Sequence, residues 1–468
     1  MFKAIFTNSF GILVSRILGF LRDLFTASVL GASIYSDIFF VAFKLPNLFR
    51  RIFAEGAFTQ VFIPAFAKSK HKSILSANIF LIFLTVILLI TIFVNLIPSL
   101  ATQAIAVGFD DTTIKTASIF VAINFWYLPL IFIVTFLSTL LQYKHHFATS
   151  AFSTALLNIS LILALYFSQE KSHNEIVFYL SWGVVIGGVL QVLVHLLAVY
   201  KMGLMPLLYG GFKYLRRKIK LISVETKQFS KQFFPAVWGN STAQVSAFLD
   251  TFLASFLVTG SISYLYYSNR IFQLPLALFA IATSIALFPR IARYIKNKDE
   301  AKAKLFMEKA FWFLTFLLTA STIGGIILAQ EITWLLFERG EFTRMDTRNT
   351  SAVLQMYLLG LLPFGLQKLF VLWLFAKEMQ AKAAVIASYS LLIYVVVALT
   401  LISPMGVSGL ALASTFGGFV SFIMTIRVFG TQNFFDILRS RNALYLSISS
   451  LILAFILLLF KDFISVYI

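Results

Sequence analysis

The chain has no cysteine, which removes disulfides and thiolate metal sites. Charge is scarce: 12% of its 468 residues are Asp, Glu, Lys or Arg, where soluble domains carry about a quarter. Acid is scarcer still, 19 residues against 38 Lys and Arg, giving a formal net charge of +19. No GxxxxGK[ST] phosphate loop occurs, so the chain carries no Walker-type ATPase of its own. No pairing of nucleophile with base and no metal-ligand spacing stands out, so no enzyme and no cofactor are expected.

Apolar sequence is what the chain has in abundance. It is 59% hydrophobic with 53 phenylalanines, and its mean hydropathy is +0.89. A membrane-spanning helix needs about 20 apolar residues. Barrel strands would alternate in short segments, whereas these runs are long and continuous. The expected fold class is therefore an all-α polytopic membrane protein. Spans are expected at 5–31, 36–66, 74–98, 116–143, 147–167, 175–200, 229–259, 262–295, 304–329, 349–376, 380–402, 405–429 and 443–465, thirteen in all. Arg16 interrupts the first apolar run, which reads as an uncleaved span rather than a signal peptide.

The large positive charge does not require a nucleic-acid partner, because it gathers in alternate loops. Lys68, Lys70 and Lys72 lie in one, and Lys144, His145 and His146 in another. Lys201, Lys213, Arg216, Arg217, Lys218 and Lys220 lie in a third, and Arg290, Arg293, Lys296 and Lys298 in a fourth. The intervening loops carry Asp110 and Asp111, Glu170 and Glu175, or Glu331, Glu338 and Glu341. The positive-inside rule then puts the basic loops and the N-terminus in the cytoplasm.

The longest basic connection, 201–228, has apolar residues at helical spacing beside its Lys/Arg cluster, as expected of a helix lying on an anionic leaflet. It divides the chain into a first six-helix lobe, 1–200, and a second, 229–430, with an extra helix in 431–468. A weak repeat crosses that divide: Lys44-Leu45-Pro46 in the second span matches Gln273-Leu274-Pro275 in the eighth. Two lobes that start on the same side imply a pseudo-two-fold along the membrane normal, with a site at their interface.

Eight charges interrupt the first two spans: Arg16, Arg22, Lys44, Arg50 and Arg51, against Asp23, Asp37 and Glu55. A charge at the centre of a membrane helix costs about 2.5–3.5 kcal/mol on insertion scales. So many imply a shared wet cavity, and their net positive sum implies an anionic ligand. Asp37, Lys44 and Arg51 are spaced by seven and Glu55 lies four further on, which keeps them near one helical face. Guanidinium forks suit phosphate. Arg22, Asp23 and Arg50 also fit structural ion pairs or headgroup contacts, and Lys44 fits a partner for Asp37. Arg270 is a further cation inside the eighth span. Asp250, a lone acid in the seventh, fits a proton carrier or cation ligand, or a partner of Arg270. His195 reads as a hydrogen-bonded packing residue, and Gly183 with Gly187 as a close-packing face.

The stretches SRILGFLRD (15–23) and SDIFFVAFKLPNLFRRIFAEGAFTQVFIPAF (36–66) closely resemble the start of the MurJ (MviN) family. YYSNRIFQLPLALFAIA (266–282) and LLFERGEFT (335–343) also fit. These are lipid II flippases of the multidrug/oligosaccharidyl-lipid/polysaccharide exporter superfamily. The resemblance implies two six-helix lobes around a cationic cavity, and alternating access carrying the peptidoglycan precursor across the bacterial inner membrane. It assigns substrate-binding arginines to Arg16, Arg22, Arg51 or its neighbour Arg50, and Arg270. Supporting acids fall on Asp23, Asp37 and Glu55, and an ion-binding acid on Asp250; Lys44, on the same stripe, is read as a further supporting or gating residue. Coupling to membrane potential, H+ or Na+ is implied. Expected partners are lipid II, membrane lipids and peptidoglycan-synthesis enzymes, and the chain is expected to be a monomer. A flippase for another lipid-linked glycan, such as an O-antigen or capsule precursor, is the alternative, and a cation-coupled drug exporter is a third. The sequence departs from the family in two places. One helix, rather than two, follows the lobes, and LWLFAKEMQAKAA offers no clear sodium ligands.

Overall fold

A computed structural model describes residues 2–50, 57–217 and 224–464. All its regular elements are helices, and no strand occurs among the described residues. By contact the chain divides into two compact units, Met1–Ile262 and Ser263–Ile468.

The first unit contains α1 (Phe2–Leu30), α2 (Ile34–Phe49), α3 (Phe58–Lys68), α4 (Lys72–Leu96), α5 (Pro98–Ile105), α6 (Asp111–Phe125) and α7 (Tyr127–Tyr143). It continues with α8 (Ala148–Ser168), α9 (His173–Lys201), α10 (Met205–Arg217) and α11 (Val224–Ala254). Starts are set by local chemistry. Ser33 forms a capping box with Ser36 ahead of α2, and Ser172 forms one with Glu175 ahead of α9. Asp110 caps α6, and hydrogen bonds from Thr112 and Thr113 lower its carboxyl to about 2.

Small residues bring the helices of this unit together. A Cβ on Gly183 would meet Ala164, and one on Gly187 would meet Leu157 at 2.8 Å, so α8 and α9 pack through the expected glycine face. His195 is fully buried with Nδ1 2.8 Å from the Gln191 carbonyl, a packing role.

The connection after α9 folds as α10, the amphipathic helix expected there. α11 is held in the first unit at both ends. At one end Ser69 Oγ donates to Glu225 Oε2 at 2.8 Å, and the buried rings of Phe229 and Phe233 pack against Phe58 and Phe83. At the other end the Gly108 N–H donates to Ser255 Oγ at 3.0 Å.

The second unit takes in most of α12 (Ser261–Pro275), a π-helical turn Leu276–Ile281, α13 (Ala282–Lys296), α14 (Glu300–Ile327), α15 (Ala329–Phe337) and α16 (Arg344–Leu358). α17 (Leu361–Ala376), α18 (Gln380–Phe429), α19 (Thr431–Leu438) and α20 (Asn442–Ile464) complete it. Tyr264 donates to Asp346 at 2.9 Å and Ser268 to the Thr350 carbonyl at 2.7 Å, fixing α12 to α16. Lys461 of α20 donates to the Ile327 carbonyl at 2.9 Å and lies 3.6 Å from Glu331, fastening the last helix to α14 and α15.

α18 runs for 50 residues, about 75 Å if straight, more than twice a bilayer's apolar thickness. It is a hairpin instead. Gly406 has φ 55 and ψ −133, just after Pro404. Beyond it Gly409 lies against the Leu401 carbonyl, and Ser390 Oγ donates to Gly417 O at 2.8 Å. The chain therefore reverses near 403–406, between the two spans expected at 380–402 and 405–429.

Eight described helical stretches, α6 taken with α7 and α12 with α13, are long and apolar enough to cross a membrane, and α16 with α17, bent by 40°, make a ninth. The expectation of thirteen crossings is finer than this count. α1 carries Arg16, Arg22 and Asp23, the second span is built as α2 and α3 with residues 51–56 outside the described residues, and the hairpin counts as one helix.

The interruptions recur between the units. The second span leaves regular α-helix after Phe49, with π-helical geometry at Arg50, and the eighth breaks into a π-helical turn after Pro275. The third and ninth spans, α4 and α14, are each followed by a short helix, α5 and α15. The fourth breaks at Trp126 between α6 and α7, and the tenth between α16 and α17. This matched order supports an internal repeat far better than the two proline tripeptides alone.

Candidate functional site

Ser15, Arg22 and Asp23 of α1 lie along α8. Arg22 is 8% exposed and Asp23 2%. Arg22 Nη2 and Nε reach Asp23 Oδ1 at 2.6 and 3.1 Å, and Nη1 donates to Asn158 Oδ1 at 3.1 Å. The Asn158 amide donates to the Ser15 carbonyl at 3.0 Å, and Ser15 Oγ to the Ala151 carbonyl at 3.0 Å. A buried pair of this kind is neutral overall and holds its helices in register; removing one member leaves the other uncompensated.

Arg16 differs. It is solvent-accessible, flanked by exposed Leu13 and Ile17, and makes no hydrogen bond or ion pair among the described residues. An accessible cation inside an apolar span needs water or an anion beside it.

In α2, Asp37 is 2% exposed and its Oδ2 accepts from the Gly260 N–H at 2.7 Å. Lys44 and Arg50 are half-buried. Arg50 Nη2 and Nε donate to Asn47 Oδ1 at 2.9 and 3.2 Å, and Arg50 borders a 180 Å³ apolar pocket against α4, α7 and α11. Arg51 and Glu55 lie outside the described residues. Asp250 is half-buried in α11. Among the described residues no group of three His, Cys, Asp or Glu could hold a metal ion.

In the second unit Arg270 is half-buried on α12. Its guanidinium stacks on the Tyr266 ring, 4.9 Å from the centroid, and Nη2 donates to the Tyr266 hydroxyl at 2.7 Å. A guanidinium stacked on an aromatic ring is held in a fixed orientation. Lys368, in the middle of α17, is accessible and makes no hydrogen bond or ion pair among the described residues. The sequence reading missed it. The signal was there, a single Lys in LLPFGLQKLFVLWLFA, the same kind of interruption that picked out Arg16. It also missed Asn158, whose partners come from a helix 136 positions earlier.

Apolar helical spans whose interruptions recur in two units define a polytopic helical membrane protein, with Arg16 and Lys368 as accessible cations set into its helices. The sequence profile described as "Lipid II flippase MurJ" matches residues 26–467, and the chain belongs to that family. A "Probable lipid II flippase MurJ" of Helicobacter pylori (strain ATCC 700392 / 26695) is 50% identical over 448 residues, 94% of this chain and 97% of the relative. One from Rhizobium meliloti (strain 1021) is 32% identical, covering 88% of this chain and 77% of the relative. The fold is similar to a solved structure titled "Lipid II flippase MurJ, inward closed conformation", with TM-score 0.79 at 23% identity, covering 97% of each chain. It is also similar to an inward-facing multidrug resistance MATE family transporter of the MOP superfamily, with TM-score 0.68 at 12% identity, covering 91% of this chain and 96% of that one.

Proposed function

We propose that this protein moves lipid II from the cytoplasmic to the periplasmic leaflet of the bacterial inner membrane by alternating access, with its N-terminus in the cytoplasm. Membership of the flippase family supports the substrate. The observation that carries the chemistry is Arg16: an accessible guanidinium with no counter-ion among the described residues, set in an apolar helix.

In this reading Arg16, Arg51 and Arg270 bind the diphosphate, with Arg22 and Arg50 positioning the helices that carry them. A diphosphate accepts several charge-assisted hydrogen bonds at once and offsets repulsion among the cations. The isoprenoid tail stays in lipid. Substrate drives the conformational change only by binding one state better than the other. An inside-negative potential favours outward movement of a negative headgroup by about 2.3 kcal/mol per charge per 100 mV. That is the driving force we propose, and Asp250 is where H+ or Na+ coupling would act. No covalent step is needed, so the protein acts as a transporter and not as an enzyme, and we take it to work as a monomer.

The test is headgroup accessibility of lipid II at the outer surface of cells depleted of their native flippase. The chain should restore accessibility, and the variant with Arg16, Arg51 and Arg270 all changed to Ala should not. Full export by the triple variant would overturn the reading. Rescue of O-antigen or capsule export without rescue of lipid II would establish the alternative cargo.

A further inference from the structure

We propose that the first unit binds one anionic glycerophospholipid beside α10, with an acyl chain in an apolar cavity and the headgroup on a lysine-rich rim. This does not rest on the flipping activity.

α10 is docked, not loose. Gly211 lies so close to the Ser73 carbonyl that a Cβ would not fit. Ser73 Oγ donates to the Leu207 carbonyl, and the Phe212 ring packs edge-on to Phe80 with centroids 5.8 Å apart. Beside this seam lies a cavity of 660 Å³. That is within the about 300–1,000 Å³ typical of ligand pockets. Its walls come from four helices: Phe80 of α4, Ile133 and Phe136 of α7, Leu196 of α9, and Tyr209 and Phe212 of α10. No charged side chain lines it. A water-soluble ligand would find no polar partner there, whereas an acyl chain needs none.

The rim supplies what the cavity lacks. α7 runs into exposed Lys144 and α9 ends at exposed Lys201, while Lys72 at the start of α4 donates to the Tyr143 hydroxyl at 2.9 Å, so two of the four walls end in an exposed lysine. Lys213 is exposed one turn beyond Tyr209, which is 70% exposed. A tyrosine-rimmed, cationic border above an apolar cavity matches the glycerol-phosphate level of an anionic leaflet. A zwitterionic lipid brings no net negative charge to the exposed Lys144, Lys201 and Lys213.

The experiment uses the full chain in nanodiscs of phosphatidylcholine doped with phosphatidylglycerol bearing a photoactivatable acyl chain. Crosslinked peptides are mapped by mass spectrometry. Crosslinks should concentrate on 133–137 and 196–212. Unlabelled phosphatidylglycerol should compete them away and phosphatidylcholine should not. Leu196→Trp, which fills the cavity, should cut labelling by about tenfold, and Lys213→Glu should weaken competition by a similar factor. Even labelling of all lipid-facing helices, or equal competition by phosphatidylcholine, would overturn the proposal. Preferential displacement by undecaprenyl phosphate would overturn it in favour of an isoprenoid site. The wild-type pattern and its competition decide the matter even if the Trp variant does not fold.

Discussion

The Asp37 carboxylate accepts the Gly260 N–H at 2.7 Å, joining the start of α2 to the turn before α12 across 223 positions of sequence. Both residues are buried, and Gly260 has φ 91, a backbone conformation open to glycine and disfavoured for other residues. The Gly108–Ser255 bond lies at the same end of the first unit, opposite the basic loops.

Asp37→Ala should therefore loosen that end, since a buried N–H left without its acceptor costs about 1–3 kcal/mol. The chain has no native cysteine, so a single Ser261→Cys probe reports without background. Labelling by a membrane-impermeant maleimide should speed up in the Asp37→Ala background. An unchanged rate would show that the bond does not hold the end shut.

The Arg22–Asp23–Asn158 network predicts strong non-additivity. Asp23→Ala alone should cost about 3–5 kcal/mol by stranding a buried guanidinium, whereas Arg22→Met with Asp23→Leu should cost far less. Thermal unfolding of the three variants in nanodiscs measures it. Equal destabilisation by single and double changes would count against a compensated pair. The double variant still tests function separately, because folding and export are read by different assays.

Lys368 predicts the reverse combination. It is accessible and unpaired among the described residues, so Lys368→Ala should shift stability by less than about 0.5 kcal/mol. Export of lipid II should nevertheless fall, and Lys368→Arg should retain it. Normal export by Lys368→Ala would remove the residue from the cargo path.

The α18 hairpin predicts an order of severity. Gly406→Ala meets no atom within 4 Å and should cost about 1–3 kcal/mol through its positive-φ backbone alone. Gly409→Ala puts a methyl against the Leu401 carbonyl and should destabilise more. Melting temperatures of the two variants give the comparison; equal losses would mean that the two arms part easily.

Composition and periodicity alone settled that this is a helical membrane protein, where most helices fall, and that basic and acidic loops alternate. Apolar runs of span length have few other solutions, because lipid offers the backbone no hydrogen bonds. The residues from Ser15 to Phe66 carried the family likeness, and the cations at Arg16 and Arg270 were visible as interruptions of apolar sequence. Partnership was not visible. That Arg22 is committed to Asp23 and Asn158 while Arg16 is not depends on which face of α1 meets α8, and that α11 is tied to the first unit depends on Phe229, Phe233 and bonds at both its ends. Apart from the neighbouring Arg22 and Asp23, such choices come from contacts between residues more than a hundred positions apart. A helical repeat can fix which side chains share a face, but only packing fixes what that face meets.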